Sequence, residues 1–187
     1  MTVTTAKGFA AAGVHAGLKK SGNRDLALVQ NLGPLNAAAA VFTTNRCQAN
    51  PIIWSKQVIL DGEVSAIVLN SGGANCYTGA QGFQTTHSTA EAVAEKLGIS
   101  AGDVLVCSTG LIGEQLDLSK LIAGVDAAAA QQIVLGNVIQ CEPRDMYVSR
   151  VAGINAGMAK ESAALTLNRL CGSGLQAIVT AANAIQL

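Results

Sequence analysis

Short apolar runs alternate with segments of helical periodicity along most of the chain, and this alternation restricts the fold more than any other feature. The apolar, partly β-branched runs predict six strands, over residues 25–31, 38–45, 64–70, 103–110, 133–139 and 163–168. Apolar residues at steps of three and four predict four helices, over residues 82–97, 116–132, 145–157 and 173–187. Strand–helix alternation favours an α/β protein with a mixed sheet and helices packed against it.

The composition excludes several classes of partner. Half of the 187 residues are hydrophobic and 13% are charged, which allows a sizeable core in one ordinary domain or two small ones. Twelve basic residues balance twelve acidic ones, so the charge indicates no DNA, RNA or anionic membrane as a partner. Aromatic residues make up 3%, which also argues against a surface that stacks bases.

The cysteines and the apolar stretches predict the compartment. The five cysteines are odd in number and form no CxxC pair, which disfavours both a disulfide framework and a zinc site. The first residues, MTVTTAKGFAAAG, lack the long apolar run of a signal peptide, and polar residues interrupt every apolar stretch that could span a membrane. We therefore expect a cytoplasmic protein with free thiols, no metal and no bound cofactor.

Two glycine-rich turns close apolar strands, LNSGGANCYTG at residues 69–79 and VCSTGLIGE at residues 106–114. Such turns expose successive backbone N–H groups, which can hold an oxyanion or a carboxylate. Glycine is also required wherever a strand ends in a tight turn, whatever the function. The spacing alone leaves both interpretations open.

Four segments together resemble ornithine acetyltransferase, the glutamate N-acetyltransferase of arginine biosynthesis. They are GFAAAGVHAGLKKSGNRDLALV, AAAAVFTTNRCQANP, AIVLNSGGANCYTG and VCSTGLIGE, in the order of that family, and the resemblance covers residues 7–126. It implies acetyl transfer through a covalent acyl-enzyme. It also implies that Thr109 and Gly110 form the oxyanion hole. Ornithine or glutamate would then be the acyl acceptor.

Cys171 lies in NRLCGSGLQAIV, residues 168–179, where a predicted strand passes into a predicted helix. A thiol at the start of a helix is exposed to the partial positive charge of unpaired N–H groups, which stabilises a thiolate. A cysteine in this position can also pack as a small hydrophobic residue. The residues themselves leave these two alternatives open.

Residues 125–187 are similar to β-ketothiolase, or acetyl-CoA acetyltransferase, around its nucleophilic cysteine. The segment NRLCGSGLQAI carries this resemblance, which implies that Cys171 accepts an acyl group and that acetyl-CoA is a substrate rather than a cofactor. The two histidines, His15 and His87, match no thiolase motif. The two resemblances together predict a chimera-like chain joined near residues 123–132.

These observations predict two segments and an enzyme-like function. Residues 1–130 would be acetyltransferase-like, and residues 131–187 would form a thiolase-like β-α-β-α fragment, packed either as one domain or as two. The favoured function is acyl transfer between a small-molecule donor and acceptor, with neither nucleic acid nor membrane as a partner and with oligomerisation left open. The alternatives are a non-catalytic α/β scaffold and a half-enzyme that requires a partner chain.

Overall fold

The computed structural model describes residues 8–130, 132–156, 158 and 162–186, without the side chains of residues 132, 182 and 184–186. Lys7, where the first resemblance begins, and Gly157 and Leu187, where two predicted helices end, lie outside the described residues. The chain forms two compact units, Met1–Ala129 and Ala130–Leu187, and each is described by itself.

The first unit is built on a four-stranded sheet. Its strands are β1 (Phe9–Val14), β2 (Leu26–Asn31), β3 (Ala66–Gly73) and β4 (Val104–Leu111), in the order β1-β2-β3-β4. The pairs β1–β2 and β2–β3 are antiparallel, whereas β3 and β4 are parallel. The sheet is therefore mixed, which confirms the prediction. The alanine-rich strand β1 was not predicted, because its sequence FAAAGV has only one β-branched residue.

Three α-helices accompany this sheet. They are α1 (Asn50–Val58), α2 (Gly79–Leu97) and α3 (Leu118–Ala129). Helices α2 and α3 agree with prediction to within a few residues. Helix α1 was not predicted, although Pro51 in its first turn is a common start signal for a helix. Short 3₁₀ turns follow α1 and precede β4, at Ile59–Asp61 and Ala101–Asp103.

The core of this unit lies between one face of the sheet and the helices α2 and α3. Alternate strand residues point to opposite faces. The buried residues share one parity along the strands and one face of each helix. They are Val14, Leu26, Leu28, Ala66, Val68, Ala90, Val93, Ala94, Val104, Val106, Leu121, Val125 and Ala128. Residues of the other parity, such as Leu69 and Thr109, lie on the opposite face, and both are exposed.

The segment 38–45 is not a strand, so that prediction was wrong. Its only neighbouring ladder contact is the single bridge between Ala37 and Glu63, and Val41 is 99% exposed. A strand is stable only where a neighbour takes up its backbone hydrogen bonds and its side chains pack. The sequence AAAVFTTN has β-forming residues, but among the described residues no second strand pairs with it.

The second unit contains the strands β5 (Gln132–Gly136) and β6 (Ala163–Leu167), which pair in parallel. Helix α4 (Val148–Asn155) connects them, after a 3₁₀ turn at Pro143–Tyr147, and helix α5 (Ser173–Gln186) follows β6. This is the predicted β-α-β-α order. Strand β5 ends three residues early, and a 3₁₀ turn replaces the predicted start of α4.

No helix in the described ranges combines the length and the apolar character needed to cross a membrane.

Gly124 allows α3 to approach the sheet closely, although glycine weakens a helix. A Cβ atom at this buried position would lie 2.7 Å from Ala16 Cβ and 3.0 Å from Leu26 Cδ1. Leu26 is a core residue of β2, and the half-buried Ala16, in the loop between β1 and β2, packs against the same core, so neither can move away without disturbing it. The close packing therefore outweighs the unfavourable helix propensity of glycine.

We expect Gly124→Ala to destabilise the first unit by about 1–3 kcal/mol, because the added methyl group overpacks the contact with Ala16 and Leu26. Urea unfolding followed by circular dichroism measures this. Ala123→Gly, at the exposed neighbouring position in the same helix, gives the effect of propensity alone, a loss of about 1 kcal/mol. If Gly124→Ala stabilises the protein by about as much as Ala123→Gly destabilises it, packing does not govern this position.

Candidate oxyanion-binding turn at the end of the parallel strands

The two glycine-rich turns lie side by side at the carboxyl ends of β3 and β4. Ser71 pairs with Thr109 in the register, and Gly72 pairs with Gly110. Both glycines have positive φ, 126° at Gly72 and 133° at Gly110, and a Cβ on Gly110 would lie 2.7 Å from the backbone of both Gly72 and Gly73. Glycine is therefore required here by the close approach of the two backbones.

Side chains of helix α1 form hydrogen bonds with backbone groups on the outer edge of β4. Trp54 Nε1 donates to the carbonyl of Val104 at 3.0 Å. Ser55 Oγ donates to the carbonyl of Val106 at 3.0 Å and accepts from the N–H of Val106 at 3.1 Å. In a parallel strand every second residue turns its N–H and C=O to the same edge. The same alternation directs the N–H of Gly110 to this outer edge, beyond the part that α1 covers.

Thr109 presents its side chain rather than its N–H. The carbonyl of Leu111 accepts from the N–H of Ala74 at 2.8 Å, so the residues of this parity direct their backbone groups toward β3. The side chain of Thr109 lies on the exposed sheet face. The turn therefore carries two candidate hydrogen-bond donors, the hydroxyl of Thr109 and the N–H of Gly110.

The buried carboxylate of Asp25 fixes the loop that packs against this turn. It accepts hydrogen bonds from the N–H groups of Ala16, Leu18 and Lys19, at 2.6, 2.7 and 2.9 Å. Burial by itself would raise the pKa of Asp25, but these N–H groups, with a weaker attraction to His15, hold the pKa below its ordinary value. Asp25 is therefore a charged anchor for the loop between β1 and β2.

This loop in turn limits the space around the glycine pair. A Cβ on Gly72 would lie 2.9 Å from the carbonyl oxygen of Leu18, whose N–H is held by Asp25. The carbonyl of Asp25 accepts from the N–H of Ser71 at 2.8 Å. The loop, Gly72 and Gly110 therefore form a continuous backbone stack.

An open groove of about 390 Å³ lies next to Thr109. Its lining includes one exposed cationic side chain, that of Arg24. It also includes Asp25, whose carboxylate accepts hydrogen bonds from backbone N–H groups. The lining residues are Gly13, Arg24, Asp25, Leu26, Ala27, Leu69, Asn70, Ser71 and Thr109. Its volume lies within the range of small-molecule sites.

A buried asparagine orders the turn between β3 and α2, and the sequence analysis missed it. Asn75 is 1% exposed and adopts a left-handed φ of 50°. Its Oδ1 accepts from Thr78 Oγ1 at 2.6 Å, and its Nδ2 donates to Thr86 Oγ1 at 2.8 Å and to the carbonyl of Gly82 at 2.9 Å. Asn50 Nδ2 also donates to Thr78 Oγ1 at 2.9 Å, which joins α1 to this cluster. The signal that could have revealed it is asparagine in a glycine-rich turn, where left-handed backbone is common.

Cys171 belongs to the second unit, whereas Thr109 and Gly110 belong to the first. Its thiol is exposed. The carbonyl of Gly172 accepts the first helical hydrogen bond of α5 from Gln176 at 2.9 Å, so Gly172 directly precedes the helix and Cys171 lies one residue earlier. The buried hydroxyl of Ser173 accepts from the N–H of Arg169 at 2.7 Å and holds the turn that carries the cysteine. The structure thus gives Cys171 the predicted location at the strand–helix junction.

The other cysteines of the described residues are also free. Burial raises the pKa of the Cys107 thiol on β4, so it stays protonated at neutral pH. Among the residues that the structure describes, no cluster of His, Cys, Asp and Glu side chains could hold a metal ion.

Known proteins resemble most of this chain. A model described as the ArgJ family matches residues 10–167. The arginine biosynthesis bifunctional protein ArgJ of Streptomyces coelicolor is 62% identical over 131 residues, which cover 70% of this chain and 34% of that protein. The protein of the same name from Thermobifida fusca is 59% identical over the same length and coverage. The chain thus spans about a third of the length of the curated relatives it matches.

Two solved structures share the fold. Ornithine acetyltransferase of Mycobacterium tuberculosis, in complex with ornithine, matches with a TM-score of 0.67 and 54% identity, over 68% of this chain and 68% of that chain. The ArgJ protein of Bacillus halodurans matches with a TM-score of 0.63 and 36% identity, over 67% and 65% of the two chains. The mixed α/β fold is therefore that of ArgJ structures.

The family match crosses residues 123–132 without a break, although a change of family was predicted there. It continues to residue 167, through most of the segment that was predicted to be thiolase-like. Neither the junction nor the thiolase-like segment receives support from this match.

We expect Asp25→Asn to lower the free energy of unfolding by about 2 kcal/mol or more at pH 7, because three N–H groups lose a charged acceptor. Folding lowers the pKa of Asp25, so its contribution is present above the ordinary carboxyl value of 3.8 and is lost as the pH falls through the lower folded-state pKa. Urea unfolding of both proteins from pH 7 to pH 2 should therefore show their difference shrinking below about pH 4.

Asp126→Asn is the matched control for charge removal. Its carboxylate is about half exposed and pairs with Lys96 at 3.1 Å on the surface. Such a pair contributes about 1 kcal/mol or less. An equal loss of stability in the two variants would contradict the role given to Asp25.

Proposed function

The chain belongs to the ArgJ family, and we propose that it supplies the oxyanion-binding turn, Thr109–Gly110, for acetyl transfer between small amino-acid substrates. The observation that supports this most directly is the backbone stack that Gly72 and Gly110 form at the ends of β3 and β4. It is closely packed and consists of main chain. Fixed donors of this kind stabilise a developing negative charge without having to reorganise during the reaction.

The chemistry follows from the two donors. A nucleophile adds to the acetyl carbonyl, the carbonyl π bond breaks, and the electron pair moves onto the carbonyl oxygen. The N–H of Gly110 and the hydroxyl of Thr109 would donate to that oxygen as its charge develops. The carbonyl reforms as the C–N bond to the amine breaks, the amine leaves with the proton that the nucleophile gave up, and the acetyl group stays on the nucleophile as an acyl-enzyme.

The groove beside Thr109 is the proposed place for the amino-acid substrate. The family resemblance gives ornithine and glutamate as candidates, and each carries an α-carboxylate. Arg24 lines this groove, and a guanidinium binds a carboxylate through paired N–H donors. The exposed sheet face around Thr109 has few charges, which favours a small substrate held by a few polar contacts.

A complete reaction in this proposal requires more polypeptide than this chain. The matched region covers about a third of each relative named above, so the proposal assigns to this chain one part of such an enzyme. The half-enzyme hypothesis is therefore retained, with a partner polypeptide of the ArgJ type. The non-catalytic scaffold and the chimera are not retained, because the match to one family of acetyltransferases runs across the predicted junction.

Cys171 is a second candidate site, argued from the second unit alone. Its exposed thiol lies two residues before the first residue of α5, on a turn held by the buried hydroxyl of Ser173. We propose that it accepts an acetyl group from a thioester such as acetyl-CoA. The thiol of Cys171 gives its proton to solvent and its sulfur attacks the carbonyl. A new thioester forms as the carbon–sulfur bond of acetyl-CoA breaks, and coenzyme A takes up a proton from solvent and leaves as the thiol.

The test of the first proposal is acetyl transfer from N-acetylornithine to glutamate. It uses this chain alone and this chain mixed with the remaining two-thirds of the Streptomyces coelicolor relative. We expect Thr109→Val to lower the rate by about 10²–10³-fold, the usual effect of removing one oxyanion donor. Thr109→Ser keeps the hydroxyl and is the matched control, which should retain most of the rate.

The outcomes of this assay separate the alternatives. Transfer by the wild-type chain, alone or in the mixture, with loss in Thr109→Val, supports the oxyanion-binding turn. Equal rates in wild type and Thr109→Val would remove Thr109 from the site. Absence of transfer in both preparations would contradict the proposed function.

For Cys171 we expect one acetyl adduct on the intact protein after incubation with acetyl-CoA, measured by mass spectrometry. Cys171→Ala should abolish that adduct because the acceptor sulfur is gone. Cys141→Ala is the matched control, since Cys141 is another exposed thiol of the same unit. If adducts persist in Cys171→Ala, or if both variants lose them equally, Cys171 is not a selective acyl acceptor.

A further inference from the structure

A hydrogen bond between two side chains ties β3 to β4 just before the candidate turn. Asn70 and Ser108 are direct partners in the parallel register, and Ser108 Oγ donates to Asn70 Oδ1 at 2.6 Å. Both side chains belong to the sheet face that packs against the helices, opposite the face of Thr109. The residue before Thr109 is therefore held from the buried side by the neighbouring strand.

Asn70 lowers the stability of the folded protein at this position, so stability alone does not explain why it is there. It is 7% exposed, and no hydrogen-bond partner of its buried Nδ2 is found among the described residues. A buried donor without a partner costs about 1–3 kcal/mol, which an apolar side chain of similar size would avoid. Only the Oδ1 of Asn70 has a hydrogen-bond partner among the described residues, and that partner is the hydroxyl of Ser108.

The strand edge shows why Ser108 needs this restraint. Side chains of α1 hold the main chain of β4 at Val104 and Val106. Along the part of β4 that follows Val106, no side chain of the described residues is hydrogen bonded to the main chain. Gly110 has no side chain to restrict its backbone. The bond from Ser108 to Asn70 is thus the last side-chain restraint before the turn.

We propose that Asn70 is a positioning residue, which acts through Ser108 to set the direction of the Gly110 N–H and the Thr109 hydroxyl. Asn70 is one of the residues that line the groove, but its side chain belongs to the opposite sheet face and is not proposed to contact the reacting atoms. This inference rests on the proposed function of the turn, because the direction of these donors matters only if they bind a reacting oxygen. A small error in that direction is costly, since donors stabilise an oxyanion only at hydrogen-bonding distance.

The experiment combines kinetics with a spectroscopic signal from the turn. Asn70→Ala, Ser108→Ala and the double variant are compared in the acetyl-transfer assay, and the Gly110 amide is followed by ¹⁵N–¹H NMR in protein labelled at glycine. Cys107→Ala is the matched control, since Cys107 lies next to Ser108 on the same strand and points to the other sheet face. Urea unfolding of each variant measures stability separately.

We expect each single variant to lower kcat about tenfold with little change in KM, because the substrate still binds while the donors are misdirected. The double variant should be no slower than the slower single variant, since both changes remove one hydrogen bond. Each single variant should shift the Gly110 resonance in the same direction. Cys107→Ala should leave kcat and that resonance unchanged.

Several outcomes would overturn the proposal. They are unchanged kcat in Ser108→Ala, losses that multiply in the double variant, or a Gly110 resonance that stays in place. If Asn70→Ala fails to fold, Ser108→Ala removes the same hydrogen bond and decides the matter. If the wild-type chain transfers no acetyl group, the proposed function fails, whereas the Gly110 resonance still reports whether Asn70 and Ser108 fix the turn.

Discussion

The contact between the backbones of Gly72 and Gly110 is the constraint on which the rest of the first unit depends. Because Gly110 has a φ of 133°, a methyl group on it would lie 2.7 Å from the backbone of Gly72 and Gly73. The stack continues on its other side to Leu18, whose loop is held by the buried charge of Asp25. A carboxylate in the loop before β2 thus sets the shape of a turn that follows β4, some eighty residues later in the chain.

Buried polar side chains pair with backbone N–H and C=O groups that have no partner within the sheet. Ser55 satisfies both backbone groups of Val106, and Asn75 satisfies the turn that leads into α2. Both side chains are buried. The hydroxyl of Ser55 and both polar atoms of the Asn75 amide are hydrogen bonded, as is usual for buried polar atoms. Asn70 is the exception among the described residues of this unit, since its Nδ2 has no partner there, and it lies next to the turn proposed to act on substrate. Departures from local rules are expected at functional sites, because selection there acts on more than stability.

The sequence predicts most of the elements and few of the contacts. Strongly periodic segments such as α2, and uniformly apolar strands such as β3 and β4, were found because each carries its own signal. Helix α1 was missed because its role is to satisfy the edge of β4 through Trp54 and Ser55, and a local pattern does not reveal a partner fifty residues away. The segment 38–45 failed for the opposite reason, since its β-forming residues need a neighbouring strand that the described residues lack. Thr109 and Gly110 were predicted as site residues from a sequence motif. The hydrogen bonds of Asp25 and Asn70 join distant parts of the chain, and only the structure reveals them.

The use of Ser55 in place of a neighbouring strand has a consequence for self-association. An exposed strand edge with free N–H and C=O groups is a template on which other chains can pair and aggregate. Ser55 and Trp54 occupy the edge of β4 as far as Val106, so only the short stretch toward Gly110 remains open. That stretch is too short and too irregular to extend a sheet, because Gly110 departs from strand geometry with its φ of 133°. The edge of β4 can therefore keep an uncovered backbone N–H at the surface without offering a long template for strand pairing.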